Sequence, residues 1–450
     1  MRFLLLIPLV VAFLLVALAC EEEGPGATSA PTPIGTSAMP YSLIYYDGHM
    51  HTTRSDGTGS VEDIKATALR RGLSVVIITD HCESLTRAKW AALVAETAAA
   101  SEPGTFLALL GFEITGNEGI FNRSHMLAFN VADPFVGDDA NEVCPEEVWP
   151  DPPNPAGTGP TYPENLAKWA DYVHSNGGIA VHCHTSGSTR LGYGVDSIEV
   201  YNQSHIDDIF RYAKLLSYSD EQALAFAKTL SDVGLSGERD LNTPVLLGSQ
   251  SVPLRQAVHS ATEMLTGVGQ WLGSPEAPAS SWDQLLMAYV NGTTDAPIFG
   301  VANSDAHNTA DPDSTVGAGK NGLYVKALTA EGVYEAIKAG RSFATTGPSL
   351  AFDVNGELMG STAHIASGES ASLNLSVESE SPTAILVKID IIRNGEVWQT
   401  ISPMQPAYED TLVDESVTED GYYRVEVTSQ EQSSGPYHYA WSNPVFVSVP

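Results

Sequence analysis

Positive charge is scarce in this chain: 22 Lys and Arg face 55 Asp and Glu in 450 residues, a formal net charge of −33. A surface of that sign repels a phosphate backbone, so nucleic acid is not expected as a partner. Cysteine is scarce too, with 4 in all. No Cys-x-x-Cys occurs, so a zinc site built on paired thiolates is not indicated. Aromatic residues make up 8%, and near the C-terminus they form no obvious binding platform; Trp398 and Trp441 read as core residues. The length leaves room for two domains and a large core.

The one strongly apolar stretch with a polar tail lies at the start. Arg2 precedes an apolar run from Phe3 to Ala19, then Cys20, then Glu21-Glu22-Glu23 and a segment rich in Gly, Pro, Ser and Thr up to Pro40. It resembles a bacterial lipoprotein signal over 1–20, followed by a flexible tether over 21–40. The implied product is an extracytoplasmic lipoprotein, membrane-anchored through a lipid on Cys20. An uncleaved anchor is the alternative, since the run approaches the ~20 residues that span a bilayer. Cys82, Cys144 and Cys183 remain, an odd number; one disulfide plus one free thiol is possible, in a pairing that the sequence leaves open.

What the chain has in quantity is histidine and carboxylate at the ends of apolar runs. Asp47-Gly-His-Met-His-Thr-Thr-Arg-Ser-Asp-Gly57 follows the run Tyr41–Tyr46 and places His49 and His51 one residue apart, with Asp56 beyond. On a strand such a pair shares a face. Ser60-Val-Glu-Asp63 reads as a capping box opening a helix that Gly72 stops. Leu73 to His81 is a β-branched strand of the doubly buried kind, ending in Asp80-His81. Ala91–Ala100 is helical, and Phe106–Glu113 is a strand ending in a carboxylate. His125–Asn130 is a short strand that opens with a histidine. After a Pro- and Gly-rich loop over 133–160, Leu166, Trp169, Ala170 and Val173 mark an amphipathic helix closed by Gly177-Gly178. Ile179–His184 carries His182 and His184 on one face, and Ser197–Tyr201 is a further strand. Residues 204–290 read as mostly helical, an insertion among strands, with His205 and His259 outside any cluster. Ile298–His307 ends in Asp305 and His307.

From Gly347-Pro348 onward the pattern turns to alternation. Leu373, Leu375 and Val377 alternate with polar residues, Asn394-Gly395 marks a hairpin, and Tyr423–Val427 alternates again. A small β-sandwich over 348–450 is expected.

Collected, the strand ends carry His49, His51, Asp56, His81, Glu113, His125, His184, Asp305 and His307. In barrels of parallel strands such termini converge on one face. Imidazole mixed with carboxylate suits Zn, Mn or Fe rather than Ca, and more ligands than one ion can take implies two or three divalent ions in a hydrolytic cluster.

His49-x-His51 with Ser55-Asp56-Gly57, Thr79-Asp80-His81, the Glu113 strand and Ser304-Asp305-Ala-His307 resemble the PHP (polymerase and histidinol phosphatase) superfamily. Gly340–Pro348 and Trp441-Ser-Asn-Pro-Val445 further resemble its carbaryl-hydrolase-like branch, the match covering about Tyr41 to Pro450. The resemblance implies an α/β fold with a distorted (β/α)7 barrel over 41–347 and a β-domain after it. It implies one ion on His49, His51, Asp305 and a bridging Glu113, a second on Glu113, His125 and His184, and a third on Asp56, His81 and His307. Glu113, His81 and Asp305 are then the catalytic candidates, while Asp47 and Asp80 would orient ligand imidazoles. His184 is taken over His182 by its spacing from Gly177-Gly178, though both can face the site. The chain departs from the family in His184-Thr185, where His-Pro is usual, and in Ser124 before His125.

The expected activity is hydrolysis of a small extracytoplasmic phosphate ester by water activated between ions. Arg54 is a candidate for binding an anionic substrate, as are Arg123 and Arg190, each against the plainer role of a surface ion pair. The alternatives are a carboxylic or carbamate ester hydrolase with the same centre, and a non-catalytic metal- or ligand-binding surface lipoprotein.

Overall fold

The computed structural model describes residues 41–115, 125–136, 143–148, 163–183, 194–202, 244–247, 250–253, 281–431 and 437–450. The N-terminal half of the described chain runs β1 (Ser42–Asp47), α1 (Val61–Arg70), β2 (Val75–Ile78), α2 (Arg87–Ala100), β3 (Leu107–Thr115), β4 (His125–Phe129), α3 (Pro145–Val148), α4 (Pro163–Ser175), β5 (Ile179–Cys183) and β6 (Ser197–Asn202). It continues through β7 (Pro244–Leu247), β8 (Gln250–Pro253), α5 (Ser281–Val290), β9 (Phe299–Asn303), β10 (Lys320–Val325), α6 (Ala330–Lys338) and β11 (Ser342–Thr345). Ten strands follow: β12 (Ser349–Val354), β13 (Glu357–Leu358), β14 (Thr362–His364), β15 (Glu369–Glu378), β16 (Ile385–Arg393), β17 (Glu396–Ile401), β18 (Ala407–Val417), β19 (Gly421–Gln430), β20 (Tyr437–Ser442) and β21 (Val445–Ser448).

Local chemistry sets several boundaries. Ser60 and Asp63 form a reciprocal capping box at the start of α1, which buries Val61, Ile64, Thr67 and Ala68. Gly72, at φ 71°, ends that turn in the left-handed conformation. Asn394 and Gly395 have φ of 54° and 85° between the antiparallel partners β16 and β17, the backbone that a two-residue hairpin needs. In the stretch read from sequence as mostly helical, β7 and β8 instead pair as an antiparallel hairpin, and α5 is a helix. Residues 204–243 and 254–280 of that stretch lie outside the described residues.

The fold is mixed α/β with sheet predominant. One sheet of 15 strands contains the order β11-β10-β1-β2-β3-β4-β5-β6-β9. Its pairing departs from the parallel expectation. β1, β2 and β3 are parallel, as are β5, β6 and β9, but β4 is antiparallel to both neighbours and β10 is antiparallel to β1. The reversal of β4 explains why a strand that opens with a histidine joins strands that end in ligands. His125 stands opposite Thr115 and Cys183, so its N-terminal end meets their C-terminal ends.

The sheet is buried on both faces. Inner residues such as Tyr46, Val75, Ile77, Leu127, Phe129 and Val181 pack with one another and with Val333, Ala336 and Ile337 of α6. The other face packs on helices through Ile64, Leu93, Trp169 and Leu286. No backbone ladder joins β9 to β10 among the described residues. Side-chain amides take that place. Asn321 on β10 accepts from Ala302 N at 2.8 Å and donates to Ala302 O at 2.6 Å. Asn443 does the same for Gly300, at 2.7 and 3.3 Å. Each amide thus supplies the donor and acceptor that a neighbouring strand would have offered, which keeps the edge of β9 satisfied.

β11 pairs with β20, so the C-terminal strands continue the same sheet. A second sheet, in the order β13-β12-β15-β18, faces them. Leu350, Phe352, Leu375 and Val377 from it share a core with Ile389, Ile391, Val425 and Val427. A fully buried ion pair ties α5 to β19: Arg424 donates from Nε and Nη2 to the two carboxylate oxygens of Asp283 at 2.7 and 2.6 Å, and Tyr422 donates to Asp283 at 2.6 Å. Breaking such a pair strands a buried charge. Arg424→Met is therefore expected to cost about 3–5 kcal/mol in urea unfolding, and Asp283→Leu in the same chain to restore most of it; additive losses would show that the pair is not the unit of stability.

Candidate metal centre

The ligand-bearing segments are laced together by main-chain bonds before any side chain is considered. Thr79 N donates to Met50 O at 3.0 Å, Glu113 N to Asp80 O at 3.1 Å, and His51 N to Ala306 O at 2.9 Å. These extend β1, β2 and β9 past their ends, the second against β3, and place His49, His51, His81, Glu113 and Asp305 side by side.

Four donors converge at the bottom. His49 Nε2 lies 3.3 Å from Glu113 Oε2 and 3.2 Å from Asp305 Oδ1. His51 Nε2 lies 3.3 and 3.2 Å from the same two oxygens. A tetrahedral ion bound at about 2.0 Å separates its ligand atoms by about 3.3 Å. The four nitrogen–oxygen spacings and the donor set therefore suit a divalent ion at His49, His51 and Glu113, with Asp305 Oδ1 beside both imidazoles.

Asp305 reaches this point from a strained backbone. Its φ is 51°, in the left-handed region that few residues other than Gly adopt. His307 Nδ1 bonds its carbonyl at 2.9 Å, and His51 N ties down the next residue.

A second group lies outward. Asp56 Oδ2 is 3.5 Å from His81 Nε2 and 3.2 Å from His307 Nε2. His51 stands between the two groups: its Nδ1 is 3.5 Å from Asp56 Oδ1, and its ring stacks on those of His81 and His307 at 4.5 and 4.2 Å. His51 thus faces the inner group with Nε2 and the outer group with Nδ1. Asp56 owes its place to the turn behind it. A Cβ on Gly57 would sit 2.0 Å from the His51 carbonyl oxygen, so no other residue fits there without moving the loop.

Glu113 joins these groups to a third. Its Oε1 accepts from His125 Nδ1 at 2.6 Å, and Cys183 Sγ is 3.6 Å from the same oxygen. On β5 the inward positions are Val181 and Cys183; Ala180 packs on the outer face, and His182 shares its parity. The structure thus corrects the expectation that His182 could face the site. His184, Arg123, Arg190, His205 and His259 lie outside the described residues.

Two acids have roles other than those expected. Asp47 accepts from the backbone nitrogens of His49, Ser304 and Gly317. Asp80 accepts from the main chain of Thr52 and Ser55 and from both hydroxyls. They anchor the ligand loops, not the imidazoles. The acid that orients an imidazole is Glu199, in the middle of β6: its Oε1 lies 2.8 Å from His49 Nδ1, and Asn202 and Asn303 donate to its oxygens at 2.8 and 3.0 Å. Sequence reasoning passed over it, although a lone acid in a doubly buried strand needs a partner and was itself the signal. Arg54 pairs with Glu96 on α2 at the rim.

The electrostatics follow from packing. Burial acts to raise the pKa of Glu113, but the imidazoles of His81, His49 and His125 overcome it and hold the carboxyl well below its ordinary range. Burial acts to lower His49, and the carboxylates of Asp305, Glu113 and Glu199 carry it well above instead. His81, opposed by burial but facing Glu113 and Asp56, is raised to about 10.

No family model matches the chain. A stretch of 153 residues is 29% identical to an uncharacterized protein of Chlamydia pneumoniae, covering 31% of this chain. The match spans about a quarter of the length of that relative, 24%. Among solved structures, a two-domain protein of Bacteroides vulgatus containing a predicted PHP-like metal-dependent phosphoesterase aligns with a TM-score of 0.38 at 12% identity, over 94% of this chain and 100% of its own. A proposed metal-dependent phosphoesterase of Bifidobacterium adolescentis gives 0.24 at 19%, over 48% and 95%. An amidohydrolase of Chromobacterium violaceum with bound sulfate gives 0.24 at 18%, over 37% and 81%. At these scores the likeness carries no functional argument, and the donor geometry carries the case.

Two outcomes are expected. Glu199→Gln should weaken zinc binding about 10–100-fold, read by competition with a chromophoric chelator, because the orienting charge behind His49 is lost; unchanged affinity would reduce Glu199 to a packing residue. Binding should also expel protons, since His49 and His81 must be neutral to coordinate, so apparent affinity should rise with pH up to about 10. Calorimetry in buffers of different ionisation heat counts those protons, and their absence would contradict the assigned ligands.

Proposed function

We propose that this chain is a metal-dependent hydrolase, most simply a phosphoesterase of the PHP type, acting on small esters outside the cytoplasm. The observation that carries this reading is that His49 Nε2 and His51 Nε2 each lie 3.2–3.3 Å from both Glu113 Oε2 and Asp305 Oδ1. The curled sheet is taken as a PHP-type barrel, with the strands after Pro348 as its β-domain.

Divalent ions bound here would supply Lewis acidity and bring the ionisation of coordinated water towards neutral pH. The residues do the rest. His49, His51, Glu113 and Asp305 would hold the innermost ion, and Asp56, His81 and His307 the outermost. Glu113 presents Oε2 to His49, His51 and His81 and Oε1 to His125, and so would serve more than one ion position. Exposure rises outward: the side chains of His49 and His51 are 0% exposed, His81 is 15%, His307 37% and Asp56 52%. Substrate therefore enters over Asp56, His81 and His307, and Glu113 and Asp305 act from beneath it. Those two carboxylates are the candidates to take the proton of the attacking water, and His81 is the catalytic candidate nearest solvent. Arg54, at the rim, is the candidate for an anionic group, on release from Glu96.

Export and a lipid on Cys20 belong to the same proposal. The Cys82–Cys144 disulfide supports it, since such bonds persist in oxidising compartments. The net charge of −33 favours a small ester over a polyanion.

The purified protein is expected to release phosphate from an aryl phosphate with Zn, Mn or Fe present, and EDTA should abolish turnover. Glu113→Gln should lower kcat/KM by about 10²-fold or more, because several kcal/mol of charge stabilisation rest on that carboxylate. A parallel panel of aryl acetate and aryl carbamate decides the ester class: preference for either would move the assignment to carboxylic or carbamate ester hydrolysis. No turnover of any ester with any of the three metals would leave the non-catalytic surface lipoprotein standing.

A further inference from the structure

Cys183 is the free cysteine among the described residues, since Cys82 and Cys144 pair with each other. It is fully buried, yet it does not sit among apolar neighbours alone. Its sulfur lies 3.6 Å from Glu113 Oε1. Cys183, Glu113 and His125 offer donor atoms within 4.8 Å of one another, and Cys183 lies within the same distance of donors on His49 and Glu199. A zinc ion bound at about 2.3 Å to sulfur and about 2.0 Å to oxygen, in tetrahedral geometry, sets those two atoms about 3.5 Å apart. The observed distance matches. The His125 Nδ1–Glu113 Oε1 contact of 2.6 Å is a hydrogen bond, and the imidazole would draw back by about 0.6 Å if both atoms shared an ion.

Resting on the reading of the cluster as a metal centre, we infer that Cys183 supplies a thiolate ligand to the ion held by Glu113 and His125. That gives one position of the cluster a soft donor in an otherwise imidazole and carboxylate set. The consequence is selectivity: sulfur favours zinc over manganese, so this position takes zinc by preference while the outer one, with Asp56, His81 and His307, has no such bias. The residue's placement on β5 is what makes this possible. The register opposite His125 and the inward parity of the strand put the sulfur, and not the imidazole of His182, beside Glu113.

Cobalt substitution tests the inference without reference to turnover. The full chain, stripped of metal and kept free of added thiols so that Cys82–Cys144 stays closed, is titrated with Co(II). The expected result is visible ligand-field absorption together with a near-ultraviolet thiolate-to-cobalt band, and Cys183→Ser should lose the second while keeping the first. Ligand-field absorption with no thiolate band, or a band that survives Cys183→Ser, would overturn the role of Cys183 and leave the metal centre intact. No cobalt uptake at all would overturn the centre itself, and the inference with it. Zinc-edge X-ray absorption of the unmodified chain needs no variant: a sulfur neighbour at about 2.3 Å supports the assignment, and nitrogen and oxygen neighbours alone reject it.

Discussion

The carboxylate of Glu113 is the interaction on which the rest of the site depends. One oxygen stands beside His49, His51 and His81, and the other beside His125 and Cys183. A carboxylate in a doubly buried strand is costly unless it is paired. The sheet meets that cost by bringing four imidazoles from three different segments to it. This requirement fixes the relative register of β1, β2, β3 and β4, because a slip of one residue in any of them would turn a ligand to the opposite face. The main-chain bonds between Met50 and Thr79, and between Asp80 and Glu113, hold that register past the ends of the regular strands.

Around this core, the structure keeps its ligands in place with groups that touch no ion position. Asp47 and Asp80 pin the loops by accepting backbone N–H groups, and Glu199 fixes the ring of His49 through Nδ1. The amides of Asn303 and Asn202 in turn hold Glu199. Asn321 and Asn443 satisfy the edge of β9, the strand that leads into Asp305 and His307. Short polar side chains thus perform the bonding that a further strand would have provided, and Asp305 keeps its left-handed backbone within that frame.

The disulfide belongs to the same economy of support. Cys82 follows His81 directly, and Cys144 precedes α3, whose Glu146 accepts from the backbone N–H of Thr115 at the end of β3. Thr115 in turn lies 2.8 Å from His81 Nδ1. The outer ligand is therefore held from two sides, by a covalent link on one and a hydrogen-bond chain on the other. Among the described residues, burial at the bottom and bonded loops at the rim leave His81, His307 and Asp56 the more exposed end of the donor set.

Much of this was legible from the chain alone, for a physical reason: it is local. Turn residues such as Gly57, Gly72 and Asn394-Gly395, the capping box at Ser60, and ligand-type side chains at the ends of apolar runs each carry their meaning within a few neighbours. The resemblance of those runs to the PHP pattern added their order. What tertiary structure alone decided is long-range. Whether β4 runs with or against its neighbours depends on a connection the sequence does not encode locally, and only the register of β5 against β4 says that Cys183 faces inward and His182 does not. Glu199 looked like one acid in one strand until His49, far away in the chain, was set beside it. The choice of Cys144 over Cys183 as partner for Cys82 is of the same kind. Residue types and strand ends state which chemistry is available; packing across the sheet decides which atoms meet to perform it.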